Sequence, residues 1–216
     1  MALAVLSKLF PLLIAPFFVK KWGAKGTAIF LALILAFYAP FLYIGNDISQ
    51  ILSVFVLSNR SIFNGGAFTF LQGAFSWLAP PDAVMATRAT TYLIFGGFVI
   101  WTLYRIFKGS DDDISIARYS AQAIAIFLAL SATLEPWYLS WVFPFLAFLS
   151  SDAWLVFSFT VFLTYFTYTQ RPLQPGYWAE LLWVRLVEYI PLYAMMAYEV
   201  VNRSSMSPRR RRPSPG

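Results

Sequence analysis

Thr27-Ala28-Ile29-Phe30-Leu31-Ala32-Leu33-Ile34-Leu35-Ala36-Phe37-Tyr38-Ala39-Pro40-Phe41-Leu42-Tyr43-Ile44 is a run of eighteen uncharged residues, and its reading decides the fold. Wound as a helix it spans about 27 Å, close to the hydrocarbon thickness of a bilayer. Similar apolar runs recur on both sides: Leu9 to Val19, Thr90 to Tyr104, Tyr119 to Leu134, Trp137 to Ser150, Ala153 to Tyr168 and Leu186 to Val201. The expected fold is therefore all-α: a polytopic transmembrane helix bundle of about seven spans over residues 1–201. Asn202 to Gly216, with Arg209 to Arg212, is expected to be a disordered basic cytoplasmic tail.

Composition agrees. Of 216 residues, 59% are hydrophobic and 19% aromatic against 12% charged, more apolar surface than one soluble domain of this size hides. No cysteine and no histidine are present, so disulfides, thiolate ligands and imidazole acid–base chemistry are excluded. Any chemistry falls to carboxylates, Arg, Lys, Tyr and amides. The net charge of +6 does not indicate nucleic acid, because the basic residues cluster beside apolar runs. Phosphate-cradling glycine loops, a nucleophile elbow and metal-ligand spacings are absent from the sequence.

Lys20 to Lys25, Arg105 to Arg118 and Arg203 to Arg212 fall on one side of the spans, which the positive-inside rule makes cytoplasmic. Asp111-Asp112-Asp113 sits on that side and reads as a solvated turn. Seven spans with the C-terminus inside put the N-terminus outside. That count makes the chain the back part of a larger membrane protein or one subunit of a split one, unless one weak segment is miscounted. The membrane is expected to be a prokaryotic plasma membrane or the endoplasmic reticulum.

On the opposite side lie two external loops, 46–89 and 169–183. The first holds the apolar stretches Ile48 to Leu57 and Ile62 to Leu78, expected as interfacial or re-entrant helices. Polar residues gather there: Arg60 and Asn64 in the first loop, Glu135 between two spans, and Arg171 in the second loop. Glu135 is the strongest candidate. A carboxylate between apolar segments is costly unless it meets water, a partner or a ligand, and Pro136 builds a break at that point. It suits a general base, a ligand for sugar hydroxyls, or an ion-pair partner of Arg60 or Arg171. Trp137 and Tyr138 belong to an interfacial aromatic belt or stack on a sugar ring. Arg185 and Glu188, three apart on the last span, can pair on one helix face, or Arg185 can grip a phosphate.

Ser7-Lys8-Leu9-Phe10-Pro11-Leu12-Leu13, Tyr38-Ala39-Pro40-Phe41, Ser61-Ile62-Phe63-Asn64-Gly65-Gly66, Glu135-Pro136-Trp137-Tyr138-Leu139-Ser140-Trp141-Val142-Phe143-Pro144 and Val187-Glu188-Tyr189-Ile190-Pro191-Leu192-Tyr193 come in this order. The set resembles the C-terminal half of GT-C class polytopic glycosyltransferases, above all polyprenyl-phosphate-mannose-dependent mannosyltransferases. The resemblance implies transfer of a sugar, mannose by expectation, from a polyprenyl-phosphate donor to an extracytoplasmic acceptor with inversion. It implies Glu135 as catalytic residue, Arg60, Asn64, Trp137, Tyr138, Arg171 and Arg185 as substrate-binding residues, and Phe63, Phe68 and Phe70 in a lipid groove or in plain packing. No cofactor is expected beyond the lipid-linked donor as co-substrate; a divalent metal is compatible, though no site for one is visible. Family members are about twice this length and commonly carry an acidic catalytic residue in a first external loop, which here would precede Met1. Where they commonly have His or Gln before Pro-Trp-Tyr, this chain has Glu135. The implied partners are membrane lipid and a membrane subunit supplying the front helices. A non-catalytic scaffold or accessory subunit that keeps the lipid-binding bundle is the alternative.

Overall fold

The computed structural model describes residues 1–7, 10–43, 62–78, 80–109, 112–149, 151–170 and 181–205. Among them the secondary structure is helical, with no strand and one isolated β-bridge, so the protein is an all-α membrane protein. The chain divides into two compact units, Met1–Leu149 and Ser150–Gly216.

The first unit begins with α1 (Ala2–Ser7), two 3₁₀ turns at Phe10–Leu13 and Ala15–Phe18, and α2 (Val19–Tyr43). Pro11 and Pro16 lack amide donors, which explains why the first apolar run forms short turns instead of one regular helix. The basic stretch from Lys20 to Lys25, which ends the first apolar run in the sequence, falls where two helices meet across a kink within Val19–Tyr43: at Gly23 (φ 61, ψ −176) the backbone leaves helical geometry, in a conformation that glycine adopts without steric cost. Ala2, Val5, Ala15 and Phe30 are buried together, with Trp22 and Ile34 packed against them.

Next come α3 (Gly66–Leu78), α4 (Ala83–Phe107) and α5 (Asp113–Leu130). Helices α4 and α5 form an antiparallel hairpin: Trp101 meets Tyr119 near the connecting turn, and Phe95 meets Phe127 toward the open end. Asp112 starts α5 as its N-cap by accepting the Ser115 amide at 3.0 Å. Hydrogen bonding from Ser115, side chain and then amide, holds the Asp112 carboxyl below the usual range. Asp113 pairs with Lys21. The solvated acidic turn is thus also a helix start and a tie to α2. Helix α5 is the most enclosed of the spans, touching α3, α4, the 3₁₀ turn at Ala15–Phe18 and α6 (Leu146–Leu149).

Among the described residues, three helices are long and apolar enough to cross a membrane, Ala15–Pro40, Ala83–Phe107 and Asp113–Leu130, and Pro136–Leu149 is a shorter apolar helix. The second unit holds α7 (Asp152–Thr160), a 3₁₀ turn at Val161–Tyr165, α8 (Phe166–Gln170) and α9 (Leu182–Ser205). The sixth expected span is therefore a continuous but uneven helical series. Helix α9, the seventh, is as long as the others but carries Arg185, Glu188 and Glu199.

Helices α7 and α9 pack through Phe157 and Tyr189, both fully buried, with ring centroids 5.1 Å apart. A second tie is polar. Glu199 Oε1 on α9 accepts the Ser151 hydroxyl at 3.1 Å and the Ala153 amide at 3.0 Å, so a carboxylate from a neighbouring helix caps the positive N-terminal end of α7. Glu199→Ala is expected to cost about 1 kcal/mol of stability, the ordinary magnitude for a lost helix cap. Thermal unfolding in detergent, followed by circular dichroism, measures it; an unchanged midpoint would show that the cap contributes nothing.

Candidate functional site

The site is built where α5 stops. Ser131 leaves helical geometry (φ −64, ψ 141) while its amide still bonds the Leu128 carbonyl. Its hydroxyl donates to the Thr133 carbonyl at 2.7 Å and accepts the Thr133 amide at 3.3 Å, so one side chain ties down the first extended residues. The extended segment then pairs with the chain leading into α3. Phe63 donates its amide to the Ala132 carbonyl at 3.1 Å, and Leu134 donates to the Phe63 carbonyl at 2.9 Å, a parallel bridge between Phe63 and Thr133. Phe63, Asn64, Ala132 and Leu134 are all buried here. The bridge brings the Asn64 loop alongside the Glu135 segment.

The approach is close enough to restrict residue choice. Asn64 has φ 49, a left-handed conformation that asparagine tolerates better than most side chains. At Gly65 a Cβ would lie 2.7 Å from the Ala132 carbonyl oxygen, so no side chain fits without moving the backbone. Helix α3 follows at once, the Thr69 amide bonding the Gly65 carbonyl at 3.2 Å.

Glu135 comes next, with φ −88 and ψ 145, the extended geometry that a following proline favours. A 3₁₀ turn over Pro136–Trp141 begins immediately, with the Tyr138 amide on the Glu135 carbonyl at 2.9 Å. The Glu135 side chain is half-buried, and its Oε2 is shielded from solvent with no hydrogen-bond partner among the described residues. Burial pushes its carboxyl above the usual range. The folded chain therefore holds this proton to higher pH than the unfolded chain does, and stability declines as pH rises from the ordinary carboxylate pKa through this higher one.

Beside the carboxylate runs a row of rings. Trp137, 52% exposed, meets Tyr138 edge-on at 6.2 Å. Tyr138 stacks on Trp141 at 4.7 Å, and Trp141 stacks on Phe10 at 4.3 Å with the planes 6° apart. Behind the bridge a cavity of about 60 Å³ is lined by Phe68, Thr91, Phe95, Phe127, Ser131 and Ala132. Phe68 is thus interior packing, Phe63 is packed in the bridge, and Phe70 is 42% exposed.

Of the other expected residues, Arg60 and Arg171 lie outside the described residues. Arg185 and Glu188 lie in the second unit, on α9, Arg185 half-buried and Glu188 with no exposure. One participant went unread in the sequence: Phe10 enters through its stack on Trp141, with its Pro11 neighbour a local signal of a non-helical turn there. Phe63, expected in a lipid groove or in plain packing, enters through its backbone, which no side-chain pattern announces.

The comparison with protein families supplies the context. The family model described as the MptB C-terminal domain matches residues 65–197. The chain belongs to this family. No curated protein and no solved structure matches it. The MptB C-terminal domain is a mannosyltransferase-type membrane domain, and its matched region opens at Gly65 and runs through Glu135, the aromatic row and Arg185. The residue that begins the match is thus the one held against the Ala132 carbonyl.

Because that contact leaves no space for a Cβ, Gly65→Ala in this MptB C-terminal domain should destabilise the first unit by about 1–3 kcal/mol, the cost of overpacking. Gly73→Ala, at a position where a Cβ meets nothing within 4 Å, serves as the control. Equal melting temperatures for the two variants would mean that the bridge does not constrain the site.

Proposed function

We propose that this chain is the C-terminal part of a membrane glycosyltransferase that moves mannose from a polyprenyl-phosphate donor to an extracytoplasmic acceptor, with Glu135 as the base. The observation that carries the reading is a half-buried carboxylate with a shielded, unpartnered oxygen beside an exposed tryptophan, inside a region matched to a mannosyltransferase family. A carboxylate held only for structure would be expected to have its oxygens satisfied.

The chemistry follows from those groups. Ionised Glu135 takes the proton of the acceptor hydroxyl as that oxygen bonds to the anomeric carbon. The bond from that carbon to the phosphate oxygen breaks on the opposite face, its electron pair leaving with the polyprenyl phosphate. One attack of this kind inverts the centre. A carboxyl displaced upward is a stronger base once ionised, which suits it to a weakly acidic hydroxyl. Trp137 offers a ring face to the sugar. Arg60, Arg171 and Arg185 are the cations proposed for the phosphate, and a partner chain or front segment is proposed to complete the enzyme.

Glu135→Gln in the assembled protein should lower transfer from polyprenyl-phosphate mannose by about 10²–10⁴-fold, the usual contribution of a general base. In the unaltered protein the rate should rise with pH through a limb lying above the ordinary carboxylate range, and that limb should vanish in the variant. Trp137→Ala should raise KM for the acceptor more than it lowers kcat. If Glu135→Gln transfers at the full rate while loss of the chain abolishes transfer, the accessory-subunit reading replaces this one.

A further inference from the structure

At the other end of the α4–α5 hairpin is a second surface with its own chemistry. Where α2 kinks at Gly23, the helix opens a groove of about 590 Å³ lined by Lys20, Ala24, Thr27, Ala28, Leu31 and Phe107. Its volume falls in the roughly 300–1,000 Å³ range of small-molecule sites. Ala24, Ala28 and Leu31 recur at helical spacing, so they line one side of α2 with apolar atoms. Little of the described chain covers this helix: 6% of its membrane-crossing stretch is buried, and Leu31 is 52% exposed.

The rim is cationic. Lys20 Nζ donates to the Ile106 carbonyl at 3.1 Å, which fixes its charge at the C-terminal end of α4, where the helix dipole favours a cation. Lys21 pairs with Asp113 nearby, and Lys25 follows on the same helix. At the end of α4, Arg105 lies over the Trp101 ring at 5.9 Å and Lys108 over the Tyr104 ring at 4.9 Å. The described cations at this end, Lys20, Lys21, Lys25, Arg105 and Lys108, outnumber the described carboxylates Asp112 and Asp113. An apolar trough that ends in fixed positive charge is complementary to one class of molecule, a hydrocarbon chain ending in an anion.

We propose that the groove holds an acyl chain of an anionic phospholipid, with its phosphate against Lys20 and Lys25. A second helix would also fit a surface of small residues, but it brings no anion to the lysines, and the charge decides for the lipid. The site is independent of the transferase reading, because Phe107 precedes the hairpin turn whereas the Glu135 segment follows the far end of α5.

The test is native mass spectrometry of the full chain in mild detergent, titrated with phosphatidylglycerol or with phosphatidylcholine of the same acyl length. Phosphatidylglycerol should bind more tightly, and Lys25→Gln should weaken it about fivefold, the effect of one lysine near an anionic lipid. Ala28→Leu, at an exposed position, should fill the trough and abolish retention of either lipid at this site. Equal binding of the two lipids overturns the proposal, as does full retention in both variants. So does a photocrosslinker at residue 28 that captures a polypeptide in place of lipid.

Discussion

Two backbone hydrogen bonds, from Phe63 to Ala132 and from Leu134 to Phe63, are the constraint on which the candidate site depends. A chain that leaves a helix in apolar surroundings exposes amides and carbonyls that water cannot satisfy, at a cost of several kcal/mol for each such group. Here two non-helical segments satisfy each other. The solution has consequences at both ends. On one strand it presses Gly65 against the Ala132 carbonyl and needs the left-handed turn at Asn64; on the other it delivers Glu135 in extended geometry to Pro136.

Two carboxylates in the molecule show how differently such a group can be held. Glu199 Oε1 has two donors, a hydroxyl and an amide at the start of α7, and its negative charge is used where a helix end favours it. Glu135 has a shielded oxygen with no donor among the described residues. Both lie amid apolar sequence, but their surroundings assign them differently. The first behaves as a cap, and the second keeps an acceptor in reserve for a hydrogen that the described residues do not supply.

Much of this was legible in the sequence because the strongest signals were local. Apolar runs located α4, α5 and α9, and Pro136 located the break after α5. The prolines at 11 and 16 also announced trouble in the first run, yet hydropathy alone made it a span; backbone chemistry won. Lys20 to Lys25 read as a break because charge marks span ends, and the backbone does kink within that stretch, at Gly23. The bridge at Phe63 left no trace, since one backbone pair creates no alternating pattern. Glu199 was equally silent, because a cap supplied by a distant helix has no fixed spacing from the residues it serves.

What gives the site its fixed position is the helix that carries it. In a bilayer, exposing leucine to lipid costs nothing, so hydrophobicity cannot tell a helix which neighbours to seek; side-chain size does. Helix α2 exposes Ile29, Leu31, Leu33, Leu35 and Phe37, whereas α5 buries Ser120, Ala121, Ala123, Ala125 and Ala129, small residues that let other backbones come close. In consequence 44% of the α5 window is buried against 6% for α2. A helix gripped by α3, α4 and α6 cannot tilt without disturbing all of them. Ser131 is its last turn's cap, and only three residues separate that cap from Glu135, each of them bonded, bridged or buried. The carboxylate therefore inherits the rigidity of the most enclosed span, which is what a group must have if it is to meet a sugar hydroxyl at hydrogen-bond distance.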